Sequence, residues 1–410
     1  MSASTLASRT RTFAPLAVAN FRWYLTASAC VTGAFGMQNL AISWLMYELT
    51  NSPALVGLNL LAMAIPQITL SFVGGVVADR VSKRLIMMAC FVSSAVMFSG
   101  VGLAQHLGVL SWPYLVAASF GVGAVSSFQM PARQGIITQL LGREQLTPGI
   151  ALNQASQNAM QLGAPALAGF LIASVGISSV FFFMAGLNVI AIFLLLPVRY
   201  AFVRSTAKWS VGTIFGNLME GLRYVRRNSK VRDILAFSLF TTTFAMPYTV
   251  LLPVLAKDVL HADAQRLGFL VSASGVGALI GSLLMASAGK TRRGLLFIHT
   301  AFVTGLALLL VSTSALYALT MVAMAVLGLA GSARMTLPNI LLQTYSEDGY
   351  VGRVLSLYLL QFGLTSVGGF GVSVAAQFIG VQWALGISAL ALIAIAVAYY
   401  RFSGSMKALA

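Results

Sequence analysis

Acidic residues are scarce in this sequence: nine Asp and Glu stand among 410 residues, and charged side chains of either sign make up only 8% of the chain. Two or three soluble domains of that total length would need far more polar surface, so a soluble protein is excluded. Cysteine is nearly missing. Cys30 and Cys90 each lie inside an apolar run, which excludes a disulfide framework or a Cys-based metal centre and argues against redox chemistry. The three histidines, His106, His261 and His299, are too scattered to suggest a metal site, and no cofactor is expected. No phosphate-cradling G-x-x-x-x-G-K-S/T run occurs and no stretch reads as a soluble catalytic domain, so an ATP-driven pump or a membrane hydrolase is disfavoured and no enzyme is expected. Residues Met1 to Asn20 lack a short apolar core followed by a small-residue cleavage site; they read as a cytoplasmic tail and not as a cleaved signal.

Apolar side chains are what the sequence has in abundance, at 58% of residues and a mean hydropathy of +0.88. Apolar stretches of about 20 residues recur from Trp23 to Tyr400, the length a helix needs to cross a hydrocarbon layer of about 30 Å. Cutting at charges, Pro, Gly and polar clusters leaves twelve segments, roughly 24–48, 53–77, 85–105, 113–131, 148–174, 178–197, 233–256, 266–288, 294–313, 316–337, 353–378 and 382–400. In lipid each segment must satisfy its own backbone hydrogen bonds, and none shows the alternation of a barrel strand, so all twelve are expected to be helices. The expected class is an all-α polytopic membrane protein.

A formal net charge of +16 would suggest a nucleic-acid partner in a soluble chain. Its distribution assigns it to topology instead. With both termini inside, all but Lys257 and Arg266 of the 25 Lys and Arg residues fall in inner loops or tails, among them Arg9, Arg11, Arg133, Arg204, Lys208, Lys290 and Arg334. That asymmetry predicts a multi-pass protein of the cytoplasmic (inner) membrane with N- and C-termini in the cytoplasm, and no nucleic acid as partner.

The longest polar interruption, Arg199 to Asp233, mixes basic residues with an amphipathic stretch, Val211 to Tyr224. Six segments precede it and six follow, which predicts two six-helix bundles, 1–198 and 233–410, joined by a cytoplasmic connector, 199–232. A weak internal repeat supports the pairing: Gln139, Gln157 and Gly176 recur 204 residues later as Gln343, Gln361 and Gly380.

After the second segment the chain reads Gly75-Val-Val-Ala-Asp79-Arg80-Val-Ser82-Lys83-Arg84, which resembles the G-x-x-x-D-R-x-G-R/K-R/K signature of the major facilitator superfamily, with Ser82 in place of the usual Gly. The resemblance covers the whole chain, including the twelve-segment count and the central loop, and implies the twelve-helix, two-bundle fold of that superfamily. The equivalent second-half stretch keeps Gly281, Lys290, Arg292 and Arg293 but has no acid. Gly75 is expected to permit close helix approach, and Asp79 to pair with a basic residue in one transport state; the bland alternative is a topogenic loop of Arg80, Lys83 and Arg84. Pro131-Ala-Arg133-Gln134, Leu141-Gly-Arg143-Glu144-Gln145-Leu146 and Ala151-Leu-Asn153 look like the loop between spans four and five of the enterobactin-exporter-like and macrolide-efflux-like branch, as does Tyr47-Glu48-Leu49-Thr50 before span two. Gly163-Ala164-Pro165-Ala166-Leu167-Ala168-Gly169 is similar to the antiporter motif of span five in drug exporters, with Ala164 and Ala168 replacing two glycines. It implies outward transport.

Span five carries Asn153, Gln154, Gln157, Asn158 and Gln161 in an otherwise apolar run. These amides are unfavourable against lipid, and their i, i+4 spacing gathers them on one face, which reads as a cavity lining or as interhelical glue. Gln361 offers the repeat position. By the family resemblance, in which spans one, four, seven and ten line the cavity, Gln38, Asn39, Phe128, Gln129, Phe240, Thr243 and Phe244 are candidate wall residues; each aromatic taken alone reads more readily as packing or lipid-facing surface. A wall of amides, hydroxyls and rings suits a bulky amphipathic small molecule. No acid falls clearly mid-membrane. Glu48 and Asp258, at the outer ends of spans one and seven, are the candidates for proton coupling, set against a reading as solvated boundary residues. The expectation is a monomeric secondary exporter of drugs or siderophore-like metabolites, driven by the proton gradient and surrounded by membrane lipid. The alternative is a lysophospholipid flippase of the same superfamily, with Arg133 and Arg334 as the residues offered to a head group.

Overall fold

The computed structural model describes residues 13–200, 211–287, 292–347, 349–407 and 409. The expected inner-loop cations Arg9, Arg11, Arg204, Lys208 and Lys290, and the acid Asp348, lie outside the described residues. The regular structure among the described residues is helical, with no strand. In order come α1 (Ala19–Thr50), α2 (Pro53–Arg80), α3 (Lys83–His106), α4 (Trp112–Leu140), α5 (Arg143–Val175), α6 (Ile177–Leu195), α7 (Val211–Arg227), α8 (Ser229–Ala245), α9 (Pro247–Asp258), α10 (Ala264–Ser287), α11 (Arg293–Thr313), α12 (Tyr317–Tyr345), α13 (Val351–Ile379) and α14 (Val381–Phe402). With α8 and α9 counted as one span, eleven spans among the described residues are long and apolar enough to cross a membrane. Two helices are left out of that count: α7, which is only 17 residues long, and α1, which is 32 residues long but has Gln38 and Asn39 near its middle to lower its apolarity. The architecture is the all-α, polytopic one expected.

Three local outcomes differ from the segment boundaries read off the sequence. The seventh segment is two helices, because Pro247 has no N–H to continue the ladder and opens α9 at its first position. Pro131, taken as the last residue of a segment, and Pro338, just past the end of one, lie inside α4 and α12, which run on to Leu140 and Tyr345. Packed neighbours let a membrane helix tolerate such prolines, and the consequence is that Arg133 and Arg334 belong to helices and not to loops.

The chain forms two compact units. One comprises Met1–Leu45 and Ala62–Ala207, the other Met46–Leu61 and Lys208–Ala410. In the first, Phe21 and Tyr24 of α1, Met87 and Phe91 of α3, Ile136 of α4 and Leu195 of α6 are fully buried together. In the second, Phe237 of α8 meets Phe297 of α11 edge to face, with centroids 4.8 Å apart, and Leu341, Leu342, Val354 and Met406 close around them. Lipid tails are as apolar as these side chains, so shape-matched packing, at about 0.1–0.2 kcal/mol per atom pair, holds the helices together rather than exclusion of water.

Glycine sets the closest crossings, and it does so in the same way in both units. A Cβ at Gly74 of α2 would lie 2.1 Å from the Ser127 carbonyl oxygen of α4, and one at Gly123 would lie 2.0 Å from that of Met63. In the second unit a Cβ at Gly277 of α10 would lie 1.8 Å from the Ala325 carbonyl oxygen of α12, and one at Gly328 would lie 1.8 Å from that of Ser274. The repeat pair Gly176 and Gly380 also has a structural reason: each ends a helix with φ of +101° and +85°, which a side chain would strain. The amphipathic connector stretch forms α7, which packs within the second unit. There Tyr224 stacks on Tyr350 at 4.3 Å, and Glu220 pairs with Arg353 at 2.9 Å.

Candidate functional site

Two polar groups occupy the interiors of otherwise apolar helices. In the first unit, the Arg133 guanidinium of α4 donates through Nη1 to Thr32 Oγ1 of α1 at 3.3 Å and through Nη2 to Gln157 Oε1 of α5 at 3.4 Å. The Tyr24 hydroxyl donates to the Arg133 carbonyl at 3.0 Å, which fixes the backbone beneath the side chain. One turn along α5, Asn153 is buried and accepts from Ser28 Oγ at 3.5 Å. The five-amide row therefore divides. Asn153 and Gln157 face the interior with Arg133, whereas the exposed Gln154 donates to half-buried Asn158 at 3.0 Å, and Gln161 is exposed.

In the second unit the counterpart is drier. Arg334 of α12 is 4% exposed and donates through Nη1 to Thr242 Oγ1 of α8 at 3.1 Å, while its Nε is buried without a partner. Tyr248 and Tyr358 lie within electrostatic reach of the guanidinium, and the Tyr358 hydroxyl donates to the Met335 carbonyl at 3.1 Å. Gln361 of α13 is buried, and neither of its amide atoms has a partner at hydrogen-bonding geometry, although the Tyr358 hydroxyl lies near it on the same face. On the lengths of α4 and α12, the two arginines stand on corresponding helices about one turn apart.

A third set of contacts joins the end of α1 to α9 and α13. The Tyr47 hydroxyl donates to Asp258 Oδ2. Lys257 Nζ sits 5.4 Å from the Tyr47 ring centroid and donates to Asn51 Oδ1 at 3.4 Å. Ser52 Oγ donates to Gln377 Oε1 at 2.7 Å, and Gly57 lies against Ser373, where a Cβ would come within 2.4 Å of Ser373 Cβ. Of the two acids named for coupling, Asp258 is held by Tyr47, and Glu48 is exposed.

The loop after α2 is fastened to the end of α6. Ser82 Oγ and the Arg84 N–H both reach the Tyr200 hydroxyl, at 3.1 and 3.2 Å, and Arg84 Nη2 donates to the Leu196 carbonyl at 2.5 Å. Lys83 is buried with its stem over Gly135 of α4, and Arg80 is exposed. Asp79 is half-buried and makes no ion pair among the described residues. Gly75, expected to carry the close helix approach, has nothing within 4 Å of a built Cβ; its neighbour Gly74 carries it. In the antiporter-like run, Pro165 and Gly169 are buried and Gly163 faces open space, and Ala164 meets Gly36 of α1 at 3.0 Å from a built Cβ.

Among the proposed wall residues Gln38 is buried and Asn39 exposed, since neighbours on a helix point about 100° apart. Phe128, Gln129, Thr243 and Phe244 are half-buried, and Phe240 is 48% exposed. Sequence reasoning left Tyr47 and Tyr358 out of the site, and offered Arg133 and Arg334 only to a lipid head group.

A family model described as "Transmembrane secretion effector", of the major facilitator type, matches residues 10–408. The chain belongs to that family. It is therefore a transmembrane transporter and not an enzyme. It is similar to the staphyloferrin A transporter of Staphylococcus aureus, at 22% identity over 372 residues, covering 90% of this chain and 92% of the relative. It is also similar to the enterobactin exporter EntS of Shigella boydii, at 25% identity over 346 residues, covering 82% of each chain. Among solved structures it shares its fold with the nucleoside transporter NupG, at a TM-score of 0.76 and 14% identity, covering 94% of this chain and 99% of that one. A bacterial homologue of the lysosomal transporter Spinster matches at a TM-score of 0.70 and 14% identity, covering 97% of each chain.

Proposed function

We propose that this transporter exports amphipathic small molecules of the drug or siderophore class by alternating access, with proton antiport as the driving reaction. The observation that carries the reading is the half-buried Arg133–Gln157 hydrogen bond in one unit, with a buried Arg334 and a buried Gln361 on the corresponding helices of the internal repeat. Polar groups of that kind are unfavourable in lipid and mark a substrate pathway by default. The names of the relatives, a staphyloferrin A transporter and an enterobactin exporter, support cargo of the siderophore type.

In this reading the bundles 1–198 and 233–410 move about the connector 199–232, and both chain ends lie on the cytoplasmic side. Asp79 acts as a latch that finds a basic partner in one state of the cycle. Asp258, whose carboxylate accepts from the Tyr47 hydroxyl, is the proposed site of proton coupling. Purified protein in liposomes tests the proposal: uptake of dyes and siderophores is measured with and without an imposed pH gradient. Flux that follows the gradient supports antiport, flux indifferent to it reduces the reading to facilitated leak, and movement of a labelled lysophospholipid alone makes the protein a flippase.

A further inference from the structure

We propose that Arg334 receives a carboxylate of the transported molecule, so that the cargo is an amphipathic anion rather than a neutral or cationic drug; this rests on the export reading above. Arg334 lies 17 residues into a 29-residue helix, which at about 1.5 Å per residue places it some 25 Å from one end of α12 and well within the hydrocarbon depth. A guanidinium has five donors and no acceptor. Here Nη1 reaches Thr242 Oγ1, Nε reaches nothing, and no carboxylate lies at ion-pair distance, the ion pairs among the described residues being Arg232–Asp233 and Arg353–Glu220. Among the described residues, the groups placed near the cation are neutral, the hydroxyls of Thr242, Tyr248 and Tyr358, with the Gln361 amide beside Tyr358.

A charge buried without a counter-charge is strongly unfavourable, and an intramembrane arginine ordinarily pairs with an acid or faces a water-filled path. Among its described residues the second unit supplies no acid to this one. The planar fork of arginine fits a carboxylate with two parallel hydrogen bonds. Arg133 differs, because its guanidinium already holds Thr32 and Gln157. With Arg334 only 4% exposed, the anion reaches it when the surrounding helices move, and the alternating-access cycle supplies that motion.

The test uses 1-pyrenebutyrate and its uncharged amide, a pair of amphipathic probes differing in the carboxylate. Binding is read as the thermal shift of the full-length protein in phosphatidylcholine nanodiscs, and transport as flux into phosphatidylcholine liposomes. The wild type is expected to bind the acid at least about tenfold more tightly than the amide, a difference of about 1.4 kcal/mol. Arg334→Gln brings the acid to the level of the amide, and Arg334→Lys, which keeps the charge but loses the fork, falls between. Equal binding of the two probes by the wild type, including no binding of either, overturns the assignment, as does a preference for the acid that survives Arg334→Gln. A purely structural role predicts a lower melting temperature for Arg334→Gln with the acid-to-amide ratio unchanged. If discrimination is missing in phosphatidylcholine, and added phosphatidylglycerol stabilises the wild type but not Arg334→Gln, the site belongs to a lipid head group and the substrate reading falls. Loss of flux with binding intact counts against export and leaves the anion site standing.

Discussion

The crossing of α10 and α12 gives the sharpest stability test. A methyl at Gly328 would stand 1.8 Å from the Ser274 carbonyl oxygen, where ordinary contact begins near 3.4 Å, so the helices would have to separate by about 1.6 Å. The obstacle is backbone and cannot rotate away, which places the substitution at the upper end of the overpacking range, about 3 kcal/mol. Alanine returns about 1 kcal/mol of helix propensity, leaving Gly328→Ala destabilised by about 2 kcal/mol. Gly331, three residues on, has nothing within 4 Å of a built Cβ. Gly331→Ala should therefore be stabilising by up to about 1 kcal/mol. Unfolding by sodium dodecyl sulfate in mixed micelles compares the two under one condition, with an expected separation of about 3 kcal/mol. If Gly328→Ala unfolds within about 0.5 kcal/mol of Gly331→Ala, the close crossing does not hold the unit together. Gly123→Ala against Gly100→Ala repeats the test in the first unit, where a Cβ at Gly123 meets the Met63 carbonyl oxygen at 2.0 Å and one at Gly100 meets nothing.

Five further substitutions complete the set. Asp79→Asn should lower flux severalfold while insertion and melting temperature hold; a well-expressed variant with normal transport removes the latch. Asp258→Asn should abolish the response of flux to an imposed pH gradient, whereas Glu48→Gln, at an exposed position, should leave it unchanged; a full response in Asp258→Asn ends the coupling assignment. Tyr47→Phe removes a hydrogen bond to a carboxylate, a type that contributes about 1.5–3 kcal/mol, and should lower the melting temperature in both the presence and absence of cargo. Gln157→Leu, which takes the acceptor from Arg133, should change the ranking of transported compounds more than the amount of protein in the membrane, and an unchanged ranking makes the amide a packing group.

Much of the fold was legible before any coordinates, because lipid leaves the backbone so little freedom. A run of about 20 apolar residues has to be a helix there, and the repeat of Gly176 at Gly380 marks two positive-φ helix ends that a side chain would strain. Neighbouring residues with the same chemistry were the ones sequence could not separate. Gln38 and Asn39, or Gly74 and Gly75, differ only in which way they point, and that depends on the rotation of each helix against its partners. Asn153 and Gln157 were equally indistinct from Gln154 and Gln161 until α4 placed Arg133 on one side of α5.

Length, apolarity and the charge asymmetry of the loops thus determined by themselves that this chain is a polytopic helical membrane protein, since these are sums over many residues that no single contact can reverse. Whether Pro131 and Pro338 end their helices or ride inside them was decided by tertiary packing alone. That choice places Arg133 and Arg334 in the interior of α4 and α12, because a proline's lost hydrogen bond is tolerable only where neighbouring helices surround it.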